Sequence, residues 1–174
     1  KNPQPQDANR KFVIVYYLSD DTVAVFELPE RNSGFRGGKF IQRAKIKNTR
    51  AGGRYFTASD FQVGQDILIN AFEFTTYDAD EYAMNYMESM PEDFPQSDLF
   101  DITTQMRKTR SKVDQMRQSM ESYDKDLVGY IQPAVARRIL MDTFGMTEHE
   151  AMTVTRRYSE NAGFDYFSFM KAFT

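Results

Sequence analysis

The sequence contains no cysteine and no tryptophan, and only one histidine, His149, among its 174 residues. Without cysteine there can be no disulfide, no thiolate metal site and no cysteine nucleophile, a pattern that suits a reducing compartment. His149 stands at the polar start of a helix, with no serine or cysteine arranged for it to serve, so general-base chemistry is not expected there. No apolar run approaches the ~20 residues that a membrane-spanning helix needs. Residues 61–105 carry no lysine or arginine but ten Asp and Glu.

What is present is globular in balance, with 41% hydrophobic and 27% charged residues. Fifteen Phe, ten Tyr and ten Met let small cores reach useful buried area. Charge is unevenly spread: residues 10–60 hold ten basic and five acidic side chains, residues 106–174 eleven and nine. A basic stretch beside an acidic one gives an oriented polar surface.

Residues 1–9 are polar and proline-bearing and read as a linker, as in a piece of a longer chain. Residues 11–17 and 22–28 are rich in β-branched and aromatic residues and predict a hairpin. Lys39 to Lys47 reads as a half-exposed basic strand, with Arg43, Lys45 and Lys47 on one side and Ile41 and Ile46 on the other. A second hairpin is expected around Asn70-Ala71. A helix follows from Asp78 to Met90, opened by Asp78, Asp80 and Glu81, where carboxylates suit the helix dipole. The prolines at 91 and 95 mark a linker over residues 91–101.

From Ile102 onward the chain reads as helical throughout. Ile102, Met106, Thr109, Val113, Met116, Met120 and Tyr123 predict one long amphipathic helix. Pro133 opens the next helix and Gly145 closes it. Thr147 and Glu150 form a capping box for another, and a short last helix holds Phe169, Met170 and Phe173. Two helix pairs, each with a glycine-containing loop, have the EF-hand layout.

A calcium loop takes ligands at positions 1, 3, 5, 7 and 9, a bidentate Glu at 12, and Gly at 6. With Gly129 at position 6, Asp124, Asp126 and Tyr130 fall at 1, 3 and 7. Val128 and Val135 occupy 5 and 12, where carboxylate chemistry is needed. In the second loop Arg157 stands at position 1 and Ser168 at 12. No metal or other cofactor is therefore expected, and Asp124, Asp126 and Tyr130 are the only remnants of a ligand set. Ile131 and Phe164, both at position 8, are expected face to face. The run Gly34-Phe35-Arg36-Gly37-Gly38-Lys39 lacks the first glycine and the Ser/Thr of a phosphate loop and leads into a strand. No catalytic constellation emerges, and the chain reads as a non-enzyme.

Several runs resemble the DM-10 domain: Phe12-x-Ile14-x-Tyr16-Tyr17-Leu18, Arg31-Asn32-Ser33-Gly34-x-x-Gly37-Gly38-Lys39-Phe40, Tyr55-x-x-x-x-Asp60-Phe61-x-x-Gly64 and Asp78-Ala79-Asp80-Glu81-Tyr82. A DM-10 domain followed by an EF-hand-like tail is similar to the C-terminal part of the myoclonin group, which includes ciliary protofilament-ribbon proteins. The resemblance implies an α+β fold: a small pleckstrin-homology-like β-barrel with a terminal helix over residues 10–90, then an all-α EF-hand-like pair over residues 102–174. It also implies a structural microtubule inner protein in the cytoplasm and cytoskeleton. Such a protein would contact tubulin and other inner proteins inside the doublets of a cilium or flagellum. No nucleic acid, membrane or small-molecule substrate is implied. A calcium-responsive adaptor of the axoneme is the alternative. The expected partner surface is basic, formed by Arg31, Arg36, Lys39, Arg43, Lys45 and Lys47 with Phe35 as an apolar anchor.

Overall fold

A computed structural model describes residues 10–30, 37–161 and 163–173. The fold is mixed α+β, with several small antiparallel sheets and six α-helices among the described residues. It divides into two compact units, one of residues 1–61 and 66–75, the other of residues 62–65 and 76–174.

The first unit starts with β1 (Phe12–Tyr17) and β2 (Thr22–Glu27), antiparallel with Tyr17 opposite Thr22. Asp21 turns the chain with φ 55°, a left-handed conformation that a short polar side chain tolerates. β3 (Gly38–Ala44) adds to β2 with two register shifts. Those bulges explain why Ile41 and Ile46, of opposite parity, are both buried while Lys39, Arg43 and Lys45 are exposed. β4 (Lys47–Asn48) pairs with β5 (Arg54–Tyr55). β6 (Asp66–Ile69) and β7 (Phe72–Thr75) form the hairpin expected around Asn70-Ala71, with Asn70 at φ 56°.

The core of this unit joins Val23, Val25, Ile41, Ile46, Phe56, Ile67, Ile69 and Phe74. Tilted and edge-on rings knit its rim: Phe12 lies 4.8 Å from Phe40 and 5.3 Å from Phe74. Arg10 donates to both carboxylate oxygens of Glu27, at 2.7 and 3.0 Å, and its guanidinium covers Phe12 and Phe40. The sheets are separate and no closed barrel forms among the described residues, which corrects the barrel expectation. The bulges and the short strands leave no continuous ladder to close.

The second unit contains α1 (Glu81–Ser89), α2 (Leu99–Arg107), α3 (Arg110–Tyr123), β8 (Tyr130–Ile131), α4 (Pro133–Phe144), α5 (Glu148–Arg157), β9 (Ser159–Glu160), β10 (Gly163–Asp165) and α6 (Tyr166–Met170). Asp80 caps α1 by accepting from the Ala83 N–H at 2.7 Å. The buried face of α1 is Met84 and Met87, and Tyr82 is 73% exposed. By contacts α1 belongs to this unit rather than to the β unit. Residues 91–101 form packed structure where the prolines suggested a linker. Phe94 and Ser97 are buried, Pro95–Ser97 is a 3-10 turn, and Asp98 caps α2.

The single long helix expected from Ile102 to Tyr123 is broken at Lys108 and Thr109. The break keeps Ile102, Met106, Val113, Met116 and Met120 in one core, which a seven-residue step from Met106 to Val113 allows. Gly145 ends α4 in the left-handed conformation, and the Thr147–Glu150 capping box starts α5 as expected. The unit is not all helical. β10 pairs with β8 on one side and β9 on the other, and Phe164 lies opposite Ile131.

Candidate partner-binding surface and calcium-type loop

Lys39 and Arg43 on β3, Lys45 beyond it and Lys47 on β4 are all exposed. They are not equivalent. Arg43 donates to Asp20 at 2.7 Å and to the Thr22 hydroxyl at 2.8 Å, and its guanidinium stacks 3.6 Å from the Tyr17 ring centre. The Thr22 hydroxyl first, with help from Arg43, holds the Asp20 carboxyl below its ordinary value against the opposing effect of desolvation. Arg54 forks onto Asp60 at 2.5 and 2.7 Å, and Arg50 pairs with Glu73. Among the described residues Lys39, Lys45 and Lys47 form no ion pair, so they carry the uncompensated charge. Arg31, Phe35 and Arg36 lie outside the described residues. Tyr55, which the sequence reading did not single out, lies opposite Lys47 and is 51% exposed. Its signal was the adjacent Tyr55-Phe56 pair at the end of β5, where Phe56 turns inward and Tyr55 outward.

In the loop after α3, Asp124 is buried while Asp126 is exposed and Tyr130 half-buried. Asp124 accepts from the N–H of Val128 at 3.1 Å, the N–H of Gly129 at 2.7 Å and the Tyr166 hydroxyl at 3.0 Å. Burial would raise its carboxyl, but these donors outweigh burial and hold it below the usual carboxylate range. Burial first, and then Asp124, pushes the Tyr166 phenol up to about 12. Both Asp124 oxygens are thus spent on the loop itself, Val128 is 63% exposed at the place of a ligand, and the loop carries Leu127 at φ 52°. Among the described residues no group of three or more His, Cys, Asp or Glu could hold a metal ion. The residues present do not fit calcium. Thermal unfolding should therefore be unchanged within error between chelator and millimolar calcium. A calcium-induced rise in Tm that disappears in Asp126→Ala would contradict this.

Residues 1–83 match the DM10 domain. The chain as a whole is similar to EF-hand domain-containing family member C2 of Danio rerio, 36% identical over 166 residues, 89% of this chain and 22% of that protein. It is likewise similar to the family member C2 protein of Bos taurus, 34% identical over 160 residues, 87% of this chain and 22% of that protein. A further relative is EF-hand domain-containing protein 1 of Homo sapiens, 26% identical over 214 residues, all of this chain and 33% of that protein. The chain spans about a fifth of the length of the C2 relatives it matches.

The DM10 stretch does not coincide with the first compact unit, because Gln62–Gln65 and Thr76–Ala83 pack in the second. His149 is the residue around which the first of these segments is fixed. It is fully buried, and its Nδ1 accepts from the Val63 backbone N–H at 3.0 Å. Because a backbone N–H can only donate, Nδ1 is bare and the ring proton sits on Nε2, 2.7 Å from the Ser97 hydroxyl oxygen. Burial lowers the affinity of the ring for a second proton. The only histidine of the chain is thus a structural staple.

Proposed function

We propose that this chain is a non-enzymatic structural module of cytoskeletal, ciliary type, binding tubulin from within the doublet microtubule through the basic face of its DM10 domain. The observation that carries this reading is the trio Lys39, Lys45 and Lys47, exposed and without ion pairs among the described residues, with Tyr55 beside Lys47 as an aromatic anchor. Such charges steer encounter with an acidic partner, and the half-exposed ring supplies the desolvated contact that charge alone lacks. The similarity to proteins named for EF-hand domains supports reading the second unit as a degenerate EF-hand pair. The antiparallel pairing of Ile131 with Phe164 between the two loops supports it independently. Packing then supplies what calcium supplies in a functional pair.

Co-sedimentation with microtubules over a salt series tests the reading. The Lys45→Glu/Lys47→Glu variant should leave the pellet at lower salt than the parent, by about a tenfold loss of affinity, because it reverses two charges on one face. Arg43→Gln should change affinity less, since Arg43 is already held by Asp20. If the double variant pellets as the parent does at every salt concentration, the basic face is not the binding face.

A further inference from the structure

A cavity of about 350 Å³ in the second unit is lined by Arg107, Arg110, Val113, Lys171, Ala172 and Phe173. Arg107 Nε donates to the Ala172 carbonyl at 2.7 Å, and Arg110 Nη1 donates to the Phe173 carbonyl at 2.9 Å. These carbonyls are neutral, so both guanidiniums are positioned without being neutralised. Each has five N–H groups and spends one on a carbonyl, leaving a planar fork for an anion. Arg107 has no ion pair among the described residues, and the Arg110–Asp114 pair is long, at 3.8 Å, and exposed on both sides. The break between α2 and α3 produces this convergence by placing the last residue of α2 and the first of α3 on two successive carbonyls, those of Ala172 and Phe173. No acidic residue occupies the first turn of α3, and among the described residues the long, exposed contact with Asp114 is the one carboxylate pair of either arginine.

We infer that this cleft binds a carboxylate side chain of an acidic peptide, a second contact surface that stands independently of the tubulin reading. Two arginines held by backbone carbonyls match the two oxygens of a carboxylate and have already lost part of their rotamer freedom. Val113 and Phe173 give the cleft an apolar wall suited to the aliphatic stem of a glutamate. A bare phosphate satisfies the charge but leaves that wall uncovered, and the cleft is large for it.

Fluorescence anisotropy with a labelled short oligoglutamate peptide, measured on this chain at low salt, tests the inference. The peptide should bind, and an oligoglutamine of equal length should not. Arg107→Gln/Arg110→Gln should weaken binding by about tenfold or more. Because those arginines also hold the last turn, Ala172→Glu is the second variant. It keeps both guanidiniums, places a carboxylate at the cleft, and should abolish peptide binding with Tm unchanged. Lys45→Glu/Lys47→Glu should alter peptide affinity by no more than about twofold, since that face lies in the other unit. Three results overturn the inference: unchanged binding in both cleft variants, equal loss in the lysine variant, or equal binding of the glutamine peptide. Complete displacement by low-millimolar inorganic phosphate also overturns it, since the site would then take a small anion only.

Discussion

Gly163→Ala should destabilise the second unit by about 3 kcal/mol or more, lowering its Tm by more than about 10 °C. Gly163 has φ +124°, outside the range L side chains adopt with ease, and an added Cβ would lie 2.6 Å from the Ile131 carbonyl oxygen. That oxygen belongs to the backbone of the strand opposite, so the collision is relieved only by parting β8 from β10, which loses the Ile131–Phe164 pairing. Phe164 is fully buried against Tyr158 and Phe169, so the core is disturbed with it. Gly145→Ala is the matched control in the same unit: φ is +72° and an added Cβ meets nothing within 4 Å. It should cost only about 1–2 kcal/mol, the price of a left-handed residue. Urea unfolding monitored by far-ultraviolet circular dichroism compares the two. Equal effects would mean that the close approach of the two loops contributes nothing beyond backbone strain.

His149→Ala should cost about 3–5 kcal/mol, since it opens a cavity and leaves the Val63 N–H and the Ser97 hydroxyl buried without partners. The same residue gives stability a dependence on pH. In the unfolded chain the imidazole takes up a proton near 6.5; in the folded chain burial lowers that value. Between the two the unfolded state binds more protons, so stability is complete above about pH 6.5 and falls as pH drops toward the folded value. A second proton on Nδ1 would also face the Val63 N–H donor to donor. Because the chain has one histidine, this part of the profile belongs to it alone among side chains of ordinary pKa. In His149→Gln an amide can accept from Val63 and donate to Ser97 without titrating. That variant should be less stable than the parent at pH 7.5 but lose less on going to pH 5.5. If the two profiles run parallel, the staple is not the acid-sensitive element.

Local rules made much of the fold legible in the sequence. The β1–β2 hairpin, the Asn70-Ala71 turn, the Thr147–Glu150 box, the Gly145 stop and the Ile131–Phe164 pair follow from short-range residue chemistry and are all present. Readings that needed knowledge of a distant partner fared worse. Pro91 and Pro95 suggested a linker, yet Phe94 is buried and packs edge-on to Tyr86 at 5.9 Å. The stripe through Thr109 predicted an unbroken helix, since periodicity does not see the carbonyls that Arg107 and Arg110 reach 65 and 63 residues away. Of the basic surface the sequence supplied the residues but not their occupancy. Only side-chain geometry separates Arg43, stacked and paired, from Lys45 and Lys47. The bonding role of His149 is hidden in the sequence because its partners, Val63 and Ser97, are 86 and 52 residues away in the chain.

The three-stranded sheet of β8, β10 and β9 has a consequence for how the second unit is assembled. Its strands are two or three residues long, too short to persist alone. Joining Ile131 to Phe164 closes a loop of 33 residues, at an entropic cost of about 3 kcal/mol. That cost is met only when Val113, Leu140, Val154 and Phe169 pack behind the pair, and those side chains come from four different helices. Neither helix pair therefore has a resting state of its own. Half of this unit, made separately, is an unfinished surface awaiting the other half, and the unit is gained or lost in a single step.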